Sequence, residues 1–424
     1  MKILVLGGYG LIGLSITKAL MAAGHEVTGL GRSAAKGRAA APGASWIAHD
    51  LSRMTDLADW AGVLAGMDVV VNAAGVLQDG LSDRVMAVQR DAVRALAAAC
   101  KQAGVHQIVQ ISAPGVSESS DTAFYRSKAD GDAAIKASGV DWVIFRPGLV
   151  LSPQAYGGTS LLRQLAAVPL VQPIMLADAD IRTVHVEDVA GAVVRAVEAR
   201  LSGVDADLLS SEPTRLEDLV LAIRNWLGFR KPEVILRTPL FLGRLTARLG
   251  DLAGWLGWRP ALRTTSLRVL SKGVTGNADG WPVRGLAETL RALPSTVQER
   301  TYARMALAYP FLLLILSAFW IVSGLTGLAQ QEAAMAVFGA DIPLPLAKGF
   351  VLGGAAVDIA IGAGLLVRPL TRPAALAAIL ASLAYLAGSI FLAPHLWSDP
   401  LGPMVKVFPA IALALTVWML TESR

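Results

Sequence analysis

Near the N-terminus a run of Ile, Leu and Val over residues 2–6 leads directly into Gly7-Gly8-Tyr9-Gly10-Leu11-Ile12-Gly13. Glycines at this spacing suit one kind of chemistry, the holding of a phosphate. Gly7 allows a tight turn, Gly10 lets the backbone approach a pyrophosphate, and Gly13 lets the next helix pack on its sheet. The start of that helix adds N–H groups with no partner of their own, which attract the anion. A helix-period segment, LSITKALMAAG, follows and stops at Gly24, and a second strand begins at His25-Glu26-Val27-Thr28. Strand, glycine turn, helix and strand in this order predict a dinucleotide site, with Gly7, Gly10, Leu11, Ile12 and Gly13 against the cofactor. The second strand ends in Leu30-Gly31-Arg32-Ser33, with Lys36 and Arg38 close by and no carboxylate. An acid there would accept bonds from a ribose 2′-hydroxyl, whereas a cation suits a 2′-phosphate. Arg32 therefore favours NADP(H) over NAD(H), against the plainer reading of a solvated loop charge.

These residues need a scaffold, and the following segments supply one. Apolar runs at 68–72, 107–112 and 142–146 recur at α/β spacing, with helical stretches such as 91–103 between them. The pattern predicts an α/β fold, a doubly wound parallel sheet with its ligand edge where each strand meets a polar or glycine-rich turn. One cysteine, Cys100, and five scattered histidines make neither a disulfide framework nor a zinc motif. No metal site is expected. The N-terminal MKILVLGGYGLIG is not read as a signal peptide, because four glycines break its apolar run and no small-residue cleavage site follows before Lys18.

At this point the residues resemble a family, the extended or atypical short-chain dehydrogenases/reductases, whose fold is the Rossmann sheet. GGYGLIG matches its glycine pattern, His49-Asp50-Leu51 its adenine-contacting Asp-Leu step, and Asn72-Ala73-Ala74-Gly75 its turn after the fourth strand. Ser112, the pair Tyr125/Lys128, Arg146-Pro147-Gly148 and Val184-His185-Val186-Glu187-Asp188-Val189 follow in the family's order, so the likeness spans about residues 1–200. It is nearest to the atypical branch that includes the NADPH-binding accessory subunit of respiratory complex I. The resemblance implies cofactor contacts from Asp50, Leu51, Ala73, Ala74, Gly75, Lys128 and Pro147, and catalytic roles for Tyr125, Lys128 and Ser112. His185 is expected to pack and hydrogen-bond.

The catalytic pattern departs from the family in one place. Active members carry a Tyr four residues before the Lys, so that the ammonium binds the nicotinamide ribose and lowers the phenol's pKa for proton transfer. Here the segment reads Phe124-Tyr125-Arg126-Ser127-Lys128. Positions three and four before a helical residue share its face but lie about 100° apart in rotation, so Tyr125 is aimed differently. Lys128 can serve the ribose in either case, and cofactor binding is expected to survive better than catalysis.

The chain has 424 residues, 54% hydrophobic and 17% charged. Soluble domains run to about 45–50% and about 25%. The excess sits at the C-terminal end, which divides the chain into a nucleotide domain at 1–234, a basic stretch at 235–304 and a membrane domain at 305–424. Four spans are expected, near 305–329, 349–367, 373–393 and 403–420, the second holding Asp358 and the fourth interrupted by Lys406 and Pro409. Their resemblance is to the DoxX-like membrane family. Arg300 and Arg304 precede the first span, Arg368 and Arg372 fill the second connection and Arg424 ends the chain, while 330–345 and 394–403 hold no Lys or Arg. The positive-inside rule then puts both termini in the cytoplasm, on a cell's inner membrane. Tyr385 and Ser389 are the expected partners of Asp358, which is costly in a bilayer.

The basic stretch carries 11 Lys/Arg against 4 Asp/Glu. Within it, residues 240–258 place Leu242, Leu245, Leu249, Leu252 and Leu256 at helical spacing, either as an interfacial helix or as a helix packed over the sheet. A bilayer-facing site would suit a lipophilic carbonyl, quinone or isoprenoid. Two function classes stand: a membrane-tethered NADP(H)-dependent oxidoreductase, and a non-catalytic NAD(P)H-binding structural or assembly factor for a membrane complex of respiratory type. No nucleic-acid partner is expected, and four spans without repeats argue against a transporter.

Overall fold

A computed structural model describes residues 1–81, 83–278, 280–338 and 342–421. Arg424 lies outside the described residues. The chain divides into two units, one of residues 1–254 with 259–303, the other of 255–258 with 304–424.

The first unit is built on seven strands: β1 (Lys2–Leu6), β2 (Glu26–Gly31), β3 (Ser45–Ala48), β4 (Val69–Asn72), β5 (Gln107–Ile111), β6 (Asp141–Pro147) and β7 (Val204–Leu208). All pair in parallel, in the order β7-β6-β5-β4-β1-β2-β3. The order reverses at β1, where doubly wound sheets bind their ligands. A parallel strand covered on both faces is apolar throughout, and β1 shows why: Ile3 and Val5 pack into the core on one face, Leu4 and Leu6 into that on the other. The first core is covered by helices α1 (Leu11–Ala22) and α4 (Val186–Glu198), the second by α2 (Ala92–Ala103), and α3 (Ala123–Lys136) runs between β5 and β6 in the chain. Cys100 is sealed in the second core, where burial pushes its thiol up to about 12. Helix α5 (Leu240–Trp255) follows the exposed strand Val234–Arg237.

The second unit holds α6 (Val297–Ala329), whose first seven residues cluster with the nucleotide unit, and then α7 (Leu344–Leu366), α8 (Arg368–Leu392) and α9 (Val407–Leu420). The first three are long and apolar enough to cross a membrane. In the region of the fourth expected span, α9 is a shorter apolar helix of 14 residues that starts after Lys406. Arg368 and Arg372 do not fill a connection; they lie in the first turns of α8. Pro369 stands in that first turn, where its missing N–H costs nothing, so the helix starts at once after Val367. The two guanidiniums stack on Trp258 and Trp418, at 5.3 and 4.8 Å from the ring centres. Asp358 accepts from the Tyr385 hydroxyl at 2.7 Å and from the Ser323 hydroxyl at 2.7 Å, so α6, α7 and α8 meet on one carboxylate. Ser389 is not its partner; that hydroxyl donates to the Leu386 carbonyl and accepts from the Trp397 indole.

Candidate active site

The glycine turn is built as the spacing requires. Gly7 has φ +68°, a conformation open to glycine, and its carbonyl accepts from Gly10 N–H at 2.8 Å. A Cβ on Gly13 would run into that same carbonyl. Gly10 caps α1 with no side-chain bond, leaving the first-turn N–H groups at Leu11, Ile12 and Gly13 without a side-chain acceptor. Gly7 packs against Ala73 and Ala74, where an added Cβ would come within 3.0 Å of the Ala74 Cα. The turn after β4 thus joins the glycine loop because β1 and β4 are neighbours in the sheet. A cradle kept clear of side chains, opening on a helix N-terminus, fits the pyrophosphate of a dinucleotide.

At the end of β2, the Tyr9 ring lies over Gly31 and its hydroxyl accepts from Ser33 N–H at 3.1 Å. Arg32 binds Asp83 at 3.0 Å, and Arg259 binds the same carboxylate at 2.8 Å. Two guanidiniums on one carboxylate leave the local charge positive. His49 N–H donates to the Gly31 carbonyl, which brings Asp50 beside β2, and Asp50 caps the short turn Leu51–Arg53 through Ser52.

Helix α3 carries the catalytic candidates, and its phase is set by Thr122, whose hydroxyl accepts from Tyr125 N–H at 3.4 Å. Lys128, one turn on, reaches back to the end of β5 and donates to the Ile111 carbonyl at 3.0 Å. Its Nζ would stand 3.8 Å from a Cβ on Gly75. The ammonium therefore borders the turn after β4. Burial lowers its pKa to about 8, against the pull of Asp132 and with the push of Arg146. Tyr125 does not share this environment. Burial first, and then the charge of Asp121, raise its phenol above the usual value. Ser112 is likewise occupied, its hydroxyl donating to Asp132 at 2.6 Å.

Sequence reasoning missed the side chains that order this region. Asp132 gathers Ser112, Gln110 at 3.4 Å and Arg146 at 3.3 Å. Gln89 donates to Ser127 at 3.2 Å and accepts from Val76 N–H at 3.4 Å, next to Gly75. The one signal for Asp132 was its place four residues after Lys128, on the same helical face. Pro147 closes β6 opposite Leu208. His185 caps α4, its Nδ1 accepting from Glu187 N–H at 3.1 Å, and burial together with Arg284 lowers its pKa.

Residues 7–200 match a family model described as NAD(P)H-binding, and residues 317–415 match the DoxX-like family. Among solved structures, an NADPH-dependent quinone oxidoreductase of Escherichia coli complexed with NADPH superposes with TM-score 0.53 at 20% identity, over 68% of this chain and 98% of that one. A triphenylmethane reductase of Citrobacter complexed with NADP(H) gives TM-score 0.53 at 16% identity, over 68% and 99%. Identities this low speak for the fold. A curated ceramide reductase of Caulobacter vibrioides is 30% identical over 131 residues, which is 30% of this chain and 40% of that protein's length. The first unit is accordingly an NAD(P)H-binding domain with a Rossmann fold. The same chain continues into a C-terminal DoxX-like domain with membrane-length helices, so this is a membrane protein that binds a nicotinamide nucleotide.

Proposed function

We propose that the chain is a membrane-tethered NADP(H)-dependent oxidoreductase of the short-chain dehydrogenase/reductase superfamily, acting on a lipophilic carbonyl, quinone or isoprenoid. The observation that carries this reading is the meeting of the Lys128 ammonium with Gly75 at the carboxyl edge of β4 and β5, beside the glycine cradle. Reduced nicotinamide, when bound, supplies the hydride. The chain's own residues would do the rest: the α1 N-terminus would hold the pyrophosphate, Arg32 would serve a 2′-phosphate, and Lys128 would donate to the nicotinamide ribose. Burial and Asp121 raise the Tyr125 phenol, so acceptors whose oxygens take protons from water, as quinones do, suit the site better than simple ketones. The lipid in the name of the ceramide reductase and the quinone in that of the bacterial oxidoreductase both favour a greasy acceptor. The cationic residues Arg300 and Arg304 near the start of α6, with Arg368 and Arg372 opening α8, support a nucleotide unit on the cytoplasmic side of an inner membrane.

A second reading is favoured by Ser112, which is tied to Asp132, and by the raised phenol of Tyr125: a cofactor-binding structural factor for a membrane complex. One experiment separates them. Calorimetry on the full chain in detergent, NADPH against NADH with Gly10→Asp as control, is followed by NADPH oxidation with a long-chain quinone, a lipid ketone and a water-soluble quinone. Binding with turnover on the lipophilic acceptors supports the enzyme. Binding with no turnover on any of the three favours the structural factor, and no binding removes both.

A further inference from the structure

Helix α5 wears its residues inside out for a helix packed on a sheet. At about 100° per residue, Phe241, Leu245, Leu249, Leu252 and Trp255 fall in one arc, and each is 55–64% exposed. The opposite arc is small: Gly243 lies against Met175, Gly250 against the Leu262 carbonyl and Gly254 against Arg263, with Ala247 fully buried. Polar contacts lock that orientation. Asp251 accepts from Gln78 at 2.6 Å and from Arg263 at 3.3 Å, so the helix cannot roll its leucines inward without breaking them. Just before it, Val234, Ile235 and Leu236 add further exposed apolar surface. An exposed apolar face of this extent marks an interaction site.

Two observations select its occupant. The last residue of the helix, Trp255, and the three after it belong to the membrane unit, where Leu256 accepts from Arg368 N–H at 2.9 Å and the Trp258 indole donates to the Leu366 carbonyl at 2.7 Å. These bonds fall at the turn between α7 and α8, one rim of the spans. Arg244 borders the apolar arc and Arg248 lies near its edge between Trp255 and Phe241, both exposed and with no acidic partner among the described residues. Long cationic stems beside a leucine stripe suit an anionic headgroup layer above acyl chains.

We infer that α5 is an in-plane membrane helix, its Phe241–Trp255 arc sunk into an anionic leaflet. The inference needs no catalysis, so it stands or falls independently of the proposed reaction. The test places a nitroxide on Leu245→Cys, and separately on Leu249→Cys, in the full-length chain in nanodiscs of phosphatidylcholine with phosphatidylglycerol. Cys100 is buried and stays unlabelled, and Glu118→Cys serves as the water-exposed control. The expected result is relaxation by oxygen several-fold greater than by a water-soluble nickel chelate at both positions, with the reverse at 118. Nickel access at 245 and 249 equal to that at 118 would overturn it. Exclusion of both reagents, with spin–spin coupling between copies, would also overturn it by showing a second chain on the face. Unchanged immersion in pure phosphatidylcholine would remove the role given to Arg244 and Arg248.

Discussion

The Nζ of Lys128 lies 5.9 Å from the centre of the Phe124 ring, the side chain one helical turn before it in α3. A cation over an aromatic face is mildly favourable, and here it fills the place from which an activated phenol would act. The Tyr125 ring packs on Phe124 instead, at 5.3 Å between centres, and its phenol is raised rather than lowered.

Phe124→Tyr is therefore expected to put a phenol within the field of Lys128 and to raise NADPH-dependent ketone reduction by roughly 100-fold or more, the usual worth of a placed general acid. Quinone reduction should change little. Steady-state rates on both acceptors decide it, and equal gains on both would contradict the assignment of proton supply to water.

With its pKa near 8, Lys128 is mostly protonated at pH 7 and loses its charge as pH rises through 8. NADPH affinity should be flat below that pH and fall by about tenfold per pH unit above it, until the bound form also titrates. Lys128→Met should bind weakly with no such slope. A pH series of calorimetric titrations on both proteins is the measurement; matching slopes would refute the role.

Arg32→Ala should weaken NADPH by about tenfold, the loss of one charge-assisted hydrogen bond of roughly 1.5–3 kcal/mol offset in part by Arg259. NADH should be held within about twofold, since it lacks the 2′-phosphate. A parallel loss for both nucleotides would mark Arg32 as a structural partner of Asp83.

Ser112→Ala removes a buried 2.6 Å bond to Asp132 but leaves Arg146 and Gln110 on the carboxylate. A loss of about 1 kcal/mol in stability is expected, with turnover nearly intact. Asp132→Ala should cost more, because Arg146 loses one of its two carboxylates, the other being Asp205. Thermal unfolding and turnover measured together would show whether Ser112 instead touches substrate.

In the membrane unit, Asp358→Ala strands two hydroxyls, Tyr385 and Ser323, and should lower thermal stability by about 1–2 kcal/mol. Asp358→Asn keeps an acceptor for one of them and should lose less. If the two variants unfold alike in detergent, the carboxylate does not join the helices.

The nucleotide fold was legible because its signals are local and redundant. The β1 run, the glycine spacing and the stop at Gly24 each point to the same unit, and the sheet order follows from parallel strands with crossovers. The partners of Ser112 and Gly75 were not legible. Asp132 meets Ser112, and Gln89 the Val76 N–H beside Gly75, only once the fold brings their segments together, and no spacing announces contacts between residues 20 apart on different elements. The same holds in the membrane, where Tyr385 could be named as a partner for Asp358 but Ser323 could not. Charge counting placed Arg368 and Arg372 in a connection, whereas Pro369 lets the helix begin on Arg368.

The stitch at Trp258 also sets an order of events during synthesis. The indole and its acceptor, Leu366, are 108 residues apart, so at roughly 5–20 residues per second the ribosome needs several seconds to supply the second after the first. Through that interval the sheet of the nucleotide unit is already complete in the nascent chain while residues 255–258 wait, tryptophans unpaired, for helices that have yet to enter the bilayer. A chain truncated before α7 would prolong that wait indefinitely, leaving the Trp258 indole without its acceptor.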